Sequence, residues 1–287
     1  MNRRALLLIN RHARQGQNSQ AIALLQKLDL ELIQENIENV QFLSEVIQSY
    51  QNKVDLVIVG GGDGTLNAAV DGLVNTQLPL GILPLGTAND LARTLGIPKS
   101  LPAACQVIAR GNVQHIDLGW VNGKHFFNVA SLGLSVQITQ RLTKEAKRRW
   151  GVFAYAITAI EAMWRSRPFY AEIRLNGQII QGKTIQIAVG NGRYYGGGMA
   201  IVHDARINDQ RLDVYSLEIQ HWWQMLALLP ALRSGRHRAS SGVLAFHAQE
   251  IEIDTHKPHP INTDGEITTY TPARFRVLPR ALAVLMP

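Results

Sequence analysis

The sequence predicts an α/β fold with an N-terminal parallel-sheet domain and a C-terminal antiparallel β domain. Its 287 residues exceed one typical domain and suit two. Before residue 118, short apolar runs alternate with helical segments, which is the pattern of a doubly wound parallel sheet. After it, Asn-Gly turns at residues 122–123 and 176–177 join alternating segments, as in antiparallel hairpins.

The composition describes a globular protein with ample core: 46% of the residues are hydrophobic and 18% are charged. The single cysteine, Cys105, excludes an internal disulfide and fits a reducing cytoplasm. Its small and apolar neighbours predict a packed thiol and not a nucleophile. No secretory signal is visible, and the longest apolar segments are too short to span a bilayer. We therefore expect a cytoplasmic protein, soluble or peripherally associated with a membrane.

The net charge of +7 suits an anionic partner, which is a nucleic acid, a nucleotide or an acidic membrane surface. No zinc-finger spacing, RNP-like aromatic motif or lysine-rich tail is present, so we expect no nucleic-acid partner. Residues 141–149 are strongly basic and precede an apolar helix predicted at residues 150–164. We expect this helix to pack on a sheet, while the basic stretch either contacts an anionic bilayer or forms a solvated face.

The first buried strand is predicted at residues 5–9, and a polar loop at residues 10–20 follows it. This loop contains Arg11, His12 and Arg14, which suit a phosphate group at the carboxyl end of a strand and equally suit a solvated basic loop. A strand at residues 30–33 and helices at residues 21–28 and 37–49 complete this part of the predicted fold.

A glycine-rich loop follows the apolar strand predicted at residues 56–59. Four of the next five residues are glycine and the exception is Asp63, after which a helix is predicted from about Leu66. Glycine allows positive φ angles and a close approach of the backbone to a ligand, and amide groups at a helix N-terminus favour phosphate. A carboxylate here makes sense when a divalent metal lies between it and a phosphate. We therefore predict a phosphate-binding loop, with a purely geometric turn as the alternative.

A second loop of similar character follows the strand predicted at residues 80–83, with the sequence Leu-Gly-Thr-Ala-Asn-Asp at residues 85–90. Ligands of parallel sheets lie outside the carboxyl ends of the strands. Two neighbouring strands that each end in glycine, threonine and an acid therefore predict one composite site. The alternative is that Asn89 or Asp90 only caps a helix.

The C-terminal half alternates between strand-like runs and turns, with few helical segments. The predicted hairpin strands are residues 119–121, 125–129, 170–175 and 178–189. Further strands are predicted at residues 212–217, 243–246, 250–254, 273–278 and 281–286, with a helix at residues 222–232.

Five segments taken together resemble the diacylglycerol kinase catalytic-domain family, which includes bacterial lipid kinases, sphingosine kinases and ceramide kinases. The segments occur in the family's order and span nearly the whole chain. They are Gly-Gly-Asp-Gly-Thr-Leu-Asn at residues 61–67, Leu-Gly-Thr-Ala-Asn-Asp at residues 85–90, Asn-Gly-Arg-Tyr-Tyr-Gly-Gly-Gly at residues 191–198, His-Asp-Ala at residues 203–205 and Asp-Gly-Glu at residues 264–266.

The resemblance implies a Rossmann-like, phosphofructokinase-like nucleotide-binding domain at residues 1–118. It implies an antiparallel β-sandwich domain at residues 119–279, on the lipid-acceptor side, and a strand at residues 280–287 that returns to the first domain. The implied reaction transfers the γ-phosphoryl group of ATP, with Mg²⁺, to a primary hydroxyl of a lipid such as diacylglycerol at an anionic membrane surface. A homodimer is a further expectation.

The resemblance also assigns roles to individual residues. Glu266 is expected to be the general base that accepts the hydroxyl proton, with Asp264 as the close alternative and Asp63 as a third catalytic residue. Asp63, Asp90 and Asp204 would bind the catalytic Mg²⁺ or its waters. The expected nucleotide contacts are Asn36, Gly61, Gly62, Asp63, Gly64, Thr65, Leu66, Asn67, Ala68 and Thr87.

A structural Mg²⁺ site is implied at an Asn-Asp-Gly turn of the family. In this chain the turn would use the carboxylate of Asp209 and the carbonyl oxygens of Arg206 and Arg211. Gln210 stands where the family has glycine.

NAD kinase is the nearest competing hypothesis, because it shares the Gly-Gly-Asp-Gly loop and a related two-domain plan. Its second motif would be of the type Asn-x-Gly-x-Leu-Gly-Phe, whereas residues 85–90 favour a lipid acceptor. A non-catalytic nucleotide- or lipid-binding regulator and a simple anion-binding protein are two further hypotheses. The presence of Asp63, Asp264 and Glu266 argues against both.

Overall fold

The computed structural model describes residues 3–10, 15–28, 30–37, 39–141, 167–219, 222–237 and 240–287. The chain forms two compact units: Met1–Leu118 with Pro279–Pro287, here called unit 1, and Gly119–Leu278, called unit 2. The predictions for Arg11, His12 and Arg14, and those for residues 142–164, lie outside the described residues.

Unit 1 contains a parallel sheet in the strand order β2-β1-β3-β4-β18. The apolar strand β3 is buried along its whole length, as its run of Leu, Val and Ile residues predicts. The strands are β1 (Arg3–Asn10), β2 (Leu30–Ile37), β3 (Leu56–Gly61), β4 (Leu80–Pro84) and the end of β18 (Ala273–Leu285). The helices are α1 (Gln15–Leu25), α2 (Leu43–Ser49), α3 (Asp63–Thr76), α4 (Asp90–Thr94) and α5 (Leu101–Arg110).

The described antiparallel strands of unit 2 form two large sheets, and β11 and β12 form a separate two-stranded sheet. One large sheet has the order β14-β13-β10-β7-β16-β17, and the other joins the start of β18 to β15, β8 and β9. The strands are β5 (Val113–Val121), which begins in unit 1, β6 (Lys124–Phe126), β7 (Val129–Gly133), β8 (Phe169–Leu175), β9 (Gln178–Thr184), β10 (Gln186–Gly190), β11 (Tyr194–Tyr195), β12 (Met199–Ala200), β13 (Leu212–Leu217), β14 (Val243–Ala248), β15 (Glu250–Thr255), β16 (Pro260–Thr263) and β17 (Glu266–Tyr270). Among the described residues of this unit, the helices are α6 (Leu134–Arg141) and α7 (Trp222–Ser234).

The main core of unit 2 lies between its two sheets. Large apolar side chains from both sheets form one buried cluster, which includes Leu132, Ile187, Val214, Ile173, Ile251 and Phe275. A second cluster joins strand residues such as Tyr215 to Leu134 of α6 and to Leu228 and Leu232 of α7. The predicted fold class, a parallel-sheet α/β domain followed by an antiparallel β-sandwich, is confirmed.

The two Asn-Gly turns form hairpins as predicted. Asn122 and Gly123 have φ angles of 45° and 89°, and Asn176 has a φ angle of 49°. Positive φ at both central residues is the mark of the type I′ turn, whose twist suits antiparallel strands. The turns join β5 to β6 and β8 to β9.

The predicted boundaries around residue 37 are wrong. Strand β2 continues to Ile37, because it pairs with β1 over eight residues. A 3₁₀ turn at Val40–Phe42 follows, and the side chain of Asn39 accepts the N–H of Gln41 at 3.0 Å to cap it. Helix α2 therefore begins only at Leu43.

Candidate active site

The loops after β3 and β4 are in direct backbone contact. The two strands pair in parallel with Gly61 opposite Pro84, and the N–H of Leu85 donates to the carbonyl of Gly61 at 3.0 Å. A Cβ atom at Gly86 would lie 2.4 Å from Cα of Gly62, and one at Gly62 would lie 3.1 Å from Cα of Gly86. The loops can lie side by side only because both positions are glycine.

The glycines of the first loop serve this close approach and do not use the positive φ angles that glycine allows. None of Gly60, Gly61, Gly62 and Gly64 has a positive φ angle. A Cβ atom at Gly61 would lie 2.6 Å from Oγ1 of Thr65. Helix α3 begins at Asp63, three residues before its predicted start, so the first amides of the helix belong to the loop itself.

Asp63 connects the starts of two helices. It is the first residue of α3, and its half-buried carboxylate accepts the N–H of Leu91, in the first turn of α4, at 3.0 Å through Oδ1. Oδ2 makes no hydrogen bond with the described residues. An acid at a helix N-terminus is stabilised by the helix dipole. One oxygen therefore holds the two loops together, and the other remains available for a ligand.

Asn89 fixes the second loop and does not cap the helix with its side chain. It occupies the N-cap position of α4 in the left-handed conformation. Its Oδ1 accepts the N–H of Gly86 at 2.9 Å, and its Nδ2 donates to the carbonyl of Gly86 at 2.8 Å. Asp90 begins α4 and is 5% exposed, with Arg93 Nη1 at 3.8 Å from its Oδ1. Thr87 is exposed in the same loop.

Helix α3 carries the other predicted nucleotide contacts. Thr65 and Leu66 are buried, and the carbonyl of Ala68 accepts a hydrogen bond from Ser44 of α2 at 2.9 Å. Oδ1 of Asn67 is buried without a hydrogen-bond partner among the described residues. A buried polar atom of this kind calls for a ligand or water. Asn36 belongs to β2 and not to α3, and it pairs with Ile9 of β1.

In unit 2, Asp264 organises the turn between β16 and β17. Asp264 and Gly265 have φ angles of 49° and 103°, so the predicted Asp-Gly turn is present. Both oxygens of the Asp264 carboxylate are bound by backbone N–H groups: Oδ2 by Phe127 at 2.6 Å, and Oδ1 by Asn128 at 2.9 Å and Val129 at 3.1 Å. The carboxylate is therefore a structural acceptor for three amides.

The segment bound by Asp264 also holds the glycine-rich loop that begins at Asn191. The carbonyl of Asn128 accepts the N–H groups of Asn191 at 2.8 Å and Gly192 at 3.0 Å. Nδ2 of Asn191 donates to the carbonyl of Phe127 at 2.8 Å. A Cβ atom at Gly192 would lie 2.3 Å from Oδ1 of Asn128. Phe127 and Asn128 were not predicted as site residues, and no spacing signal marks them, because their role depends on backbone contacts between distant segments.

Glu266 differs from Asp264 in its surroundings. It is the first residue of the edge strand β17, pairs with Thr263, and is exposed. Its side chain forms no hydrogen bond or ion pair with the described part of the chain. It can therefore accept a proton without losing an existing contact.

The predicted metal ligands belong to both units. Asp63 and Asp90 belong to the two loops of unit 1, whereas Asp204 and Asp209 lie beside Arg211 in unit 2. Within the described ranges, no group of three or more His, Cys, Asp and Glu side chains is arranged to hold a metal ion. The metal assignments therefore remain predictions.

The comparisons with known proteins agree with this geometry. Residues 4–121 match the diacylglycerol kinase catalytic domain, and residues 128–286 match the YegS C-terminal NAD kinase beta sandwich-like domain. A diacylglycerol kinase of Bacillus subtilis (strain 168) is 30% identical over 236 residues, which cover 81% of this chain and 78% of that protein. The "Probable lipid kinase YegS" of Salmonella arizonae is 36% identical over 241 residues, covering 82% and 79%.

A solved structure shares the fold over nearly the full length. It is a crystal structure from Bacillus anthracis str. Sterne, described as a candidate diacylglycerol kinase, with 26% identity and a TM-score of 0.86. The match covers 99% of this chain and 95% of that chain. In the described part of the chain, no helix is both long and apolar enough to cross a membrane.

A parallel-sheet unit with paired glycine loops, followed by a β-sandwich unit with an Asp-Gly-Glu turn, defines a two-domain kinase fold. The chain belongs to the diacylglycerol kinase catalytic-domain family, among the bacterial lipid kinases. The resemblance drawn from the five sequence segments is confirmed.

Proposed function

We propose that this protein is an ATP-dependent lipid kinase, which transfers the γ-phosphoryl group to a primary hydroxyl of a lipid such as diacylglycerol. The observation that carries the proposal is the backbone contact between Gly62 and Gly86, with Asp63 at the junction. It brings together the starts of α3 and α4, which the carboxylate of Asp63 links through the N–H of Leu91. The names of the relatives support a lipid as the acceptor.

The residues of unit 1 fit a nucleotide triphosphate. The N-terminal amides of α3, a helix of 14 residues, would face the phosphates. The loop from Gly61 to Gly64 has no side chain larger than that of Asp63, and the buried Oδ1 of Asn67 would accept a donor group of the ligand. Thr87 is accessible for a further contact. Asn36 remains a predicted contact.

Asp63 and Asp90 suit a bound Mg²⁺ or its waters, since hard cations prefer carboxylate oxygens. Mg²⁺ would supply the positive charge that screens the phosphates during transfer. Asp63 would contribute the oxygen that is not used by Leu91, and Asp90 a carboxylate at the start of α4. Asp204, near Arg211 in unit 2, stays a weaker candidate.

Glu266 is the better candidate for the general base. A carboxylate that accepts a proton must have an oxygen atom that is free of other contacts or can give one up. Both oxygens of Asp264 accept hydrogen bonds from backbone N–H groups. Glu266 is exposed and can take the proton of the lipid hydroxyl. Asp264 would then be a positioning residue, which holds the turn that carries Glu266.

The net charge of +7 favours an anionic membrane surface, so we propose a cytoplasmic enzyme that associates peripherally with membranes. That the enzyme forms a homodimer is a separate proposal. NAD phosphorylation is the second candidate, because the C-terminal match is to an NAD kinase beta sandwich-like domain.

The test is transfer of label from γ-labelled ATP, with Mg²⁺, to a panel of acceptors in mixed micelles. The panel contains diacylglycerol, monoacylglycerol, a sphingoid base, phosphatidylglycerol, a polyprenol and NAD. The expected result is label on one of the lipids and none with Asp63→Ala. Label on NAD alone would establish the second candidate, and no transfer to any acceptor would reject both.

A further inference from the structure

Arg211 lies among three carboxylates in unit 2. Its Nε is 3.1 Å from Oδ2 of Asp209 and 3.6 Å from Oδ1 of Asp213, and its Nη2 is 3.7 Å from Oδ2 of Asp204. These are ion pairs and not hydrogen bonds through Nε, because that atom has no hydrogen-bond partner among the described residues. One guanidinium thus serves three acids, here called the Arg211 cluster.

Burial makes the positive charge of Arg211 a stabilising partner for these carboxylates. The Asp213 side chain is 4% exposed, and those of Asp209 and Arg211 are 21% and 28% exposed. A buried carboxylate is unstable unless a paired charge or hydrogen bonds compensate for its lost hydration. Asp204, at 47% exposure, keeps contact with water. The guanidinium is closest to the two acids that are least exposed.

The cluster coincides with the turn at which the family resemblance implies a structural Mg²⁺. Gln210 adopts a φ angle of 59°, so the turn keeps a glycine-like conformation without glycine. The expected ligand Asp209, however, already faces Nε of Arg211 through Oδ2. Mg²⁺ requires near-octahedral oxygen ligands and holds several waters, and a guanidinium at 3.1 Å from its only carboxylate ligand opposes that arrangement electrostatically. The residues present fit an internal ion pair better than a divalent cation.

We propose that the guanidinium of Arg211 takes the place of the structural cation, so that the folding of unit 2 does not depend on Mg²⁺. The cluster borders an open cavity of about 510 Å³, lined by Asp209, Arg211, His247 and Glu250 among others. Mg²⁺ and chelators can therefore reach the Arg211 cluster. If neither changes the stability of the chain, the reason is not that the cluster is closed to them. The inference is independent of the kinase proposal, because it concerns stability alone.

The first experiment compares thermal unfolding of the full chain in Mg²⁺ with unfolding in EDTA, without nucleotide. The expected difference in Tm is below about 2 °C, since less than about 1 kcal/mol of stability would depend on the metal. A clearly larger loss of Tm in EDTA, restored by Mg²⁺ and absent in Asp209→Asn, would overturn the proposal.

The second experiment compares Arg211→Met with Arg274→Met, a matched loss of an arginine in the same unit. Arg274 is 59% exposed and pairs with Glu250 at 2.8 Å and Glu252 at 3.9 Å on the surface. We expect Arg211→Met to lower Tm by roughly 5 °C or more, because it leaves Asp213 buried without this partner, and Arg274→Met to change it by about 2 °C or less. Equal effects of the two variants would overturn the proposal. If Arg211→Met does not fold, the comparison of Mg²⁺ with EDTA on the unaltered chain still decides.

Discussion

Asp264 and Glu266 stand two residues apart, yet their oxygen atoms have different surroundings. The Asp264 carboxylate accepts amides of Phe127, Asn128 and Val129, whereas that of Glu266 is exposed. Sequence alone leaves both residues as candidates for the base, because residue type does not tell which carboxylate is already bound. Contacts between distant backbone segments make the distinction.

Replacing Glu266 should therefore affect catalysis, whereas replacing Asp264 should affect stability. We expect Glu266→Gln to lower kcat at least about 100-fold with Tm unchanged, because a general base typically contributes that much. We expect Asp264→Asn to lower Tm by roughly 5 °C, because an amide cannot accept all three N–H groups. Its residual activity should keep the pH profile of the unaltered enzyme. A fully stable but inactive Asp264→Asn would transfer the role of base to Asp264.

Gly86 should tolerate no side chain, since its Cβ would lie 2.4 Å from Cα of Gly62. We expect Gly86→Ala to separate the two loops, to cost about 1–3 kcal/mol in the free energy of unfolding and to raise KM for ATP. The control is Gly96→Ala, where a Cβ meets nothing within 4 Å but φ is +70°. It should lose about 1 kcal/mol through strain and leave KM unchanged. An unchanged KM in Gly86→Ala would argue against a nucleotide site at this junction.

At the scale of elements, the two Asn-Gly hairpins have the same turn and different attachments. Nδ2 of Asn122 donates to the carbonyls of Pro272 at 3.0 Å and Tyr270 at 3.2 Å, and its Oδ1 accepts the N–H of Arg274 at 3.0 Å. Asn176 makes one such bond, from Nδ2 to the carbonyl of His247 at 3.2 Å. The first hairpin is thus fastened to the start of β18.

Replacement by glycine keeps both turns and removes the attachments, because glycine accepts positive φ freely. We expect Asn122→Gly to lower the free energy of unfolding by about 1–2 kcal/mol, and Asn176→Gly by about 0.5 kcal/mol. Urea unfolding of the two variants measures the difference. Equal losses would mean that the contacts of Asn122 contribute little.

The elements that sequence predicted well are those with local causes. The run of apolar residues fixes β3, and Asn-Gly fixes the turns at Asn122 and Asn176, whatever the rest of the chain does. The end of β2 was mispredicted because pairing with β1 decides it. The crowding of Gly62 by Gly86 was not predicted, since it is a contact between two loops. Long-range contacts are the part of the site that the sequence does not reveal.

Two buried weak acids, Cys105 and Tyr215, make the whole molecule less stable at alkaline pH. Burial raises the pKa of the Cys105 thiol to about 11 and that of the Tyr215 hydroxyl to about 12, although hydrogen bonds to Tyr195 and Gln186 lower the latter in part. Both groups are neutral when protonated, so the folded chain holds their protons more tightly than the unfolded chain. Their stabilising effect is complete below the unfolded pKa and is lost as pH rises through the folded pKa.

We therefore expect the free energy of unfolding to fall between about pH 9 and pH 11, with a contribution of up to about 3 kcal/mol from Cys105. In Cys105→Ala this part of the decline should be missing. Urea unfolding at about pH 8 and about pH 10.5 measures it. An identical pH dependence in both proteins would show that the thiol ionises in the folded chain as readily as in the unfolded one.

Strand β18 begins in unit 2 and ends in unit 1, where it pairs in parallel with β4 through Val284 and Leu80. During synthesis on the ribosome, the sheet of unit 1 therefore stays incomplete for some time. Its first strands emerge early, but the end of β18, which pairs with β4, emerges after all of unit 2. Until then, one edge of β4 has unpaired backbone N–H and C=O groups, which can bind a chaperone or pair with a wrong strand. The sheet of unit 1 can therefore be completed only after the whole chain has been synthesised.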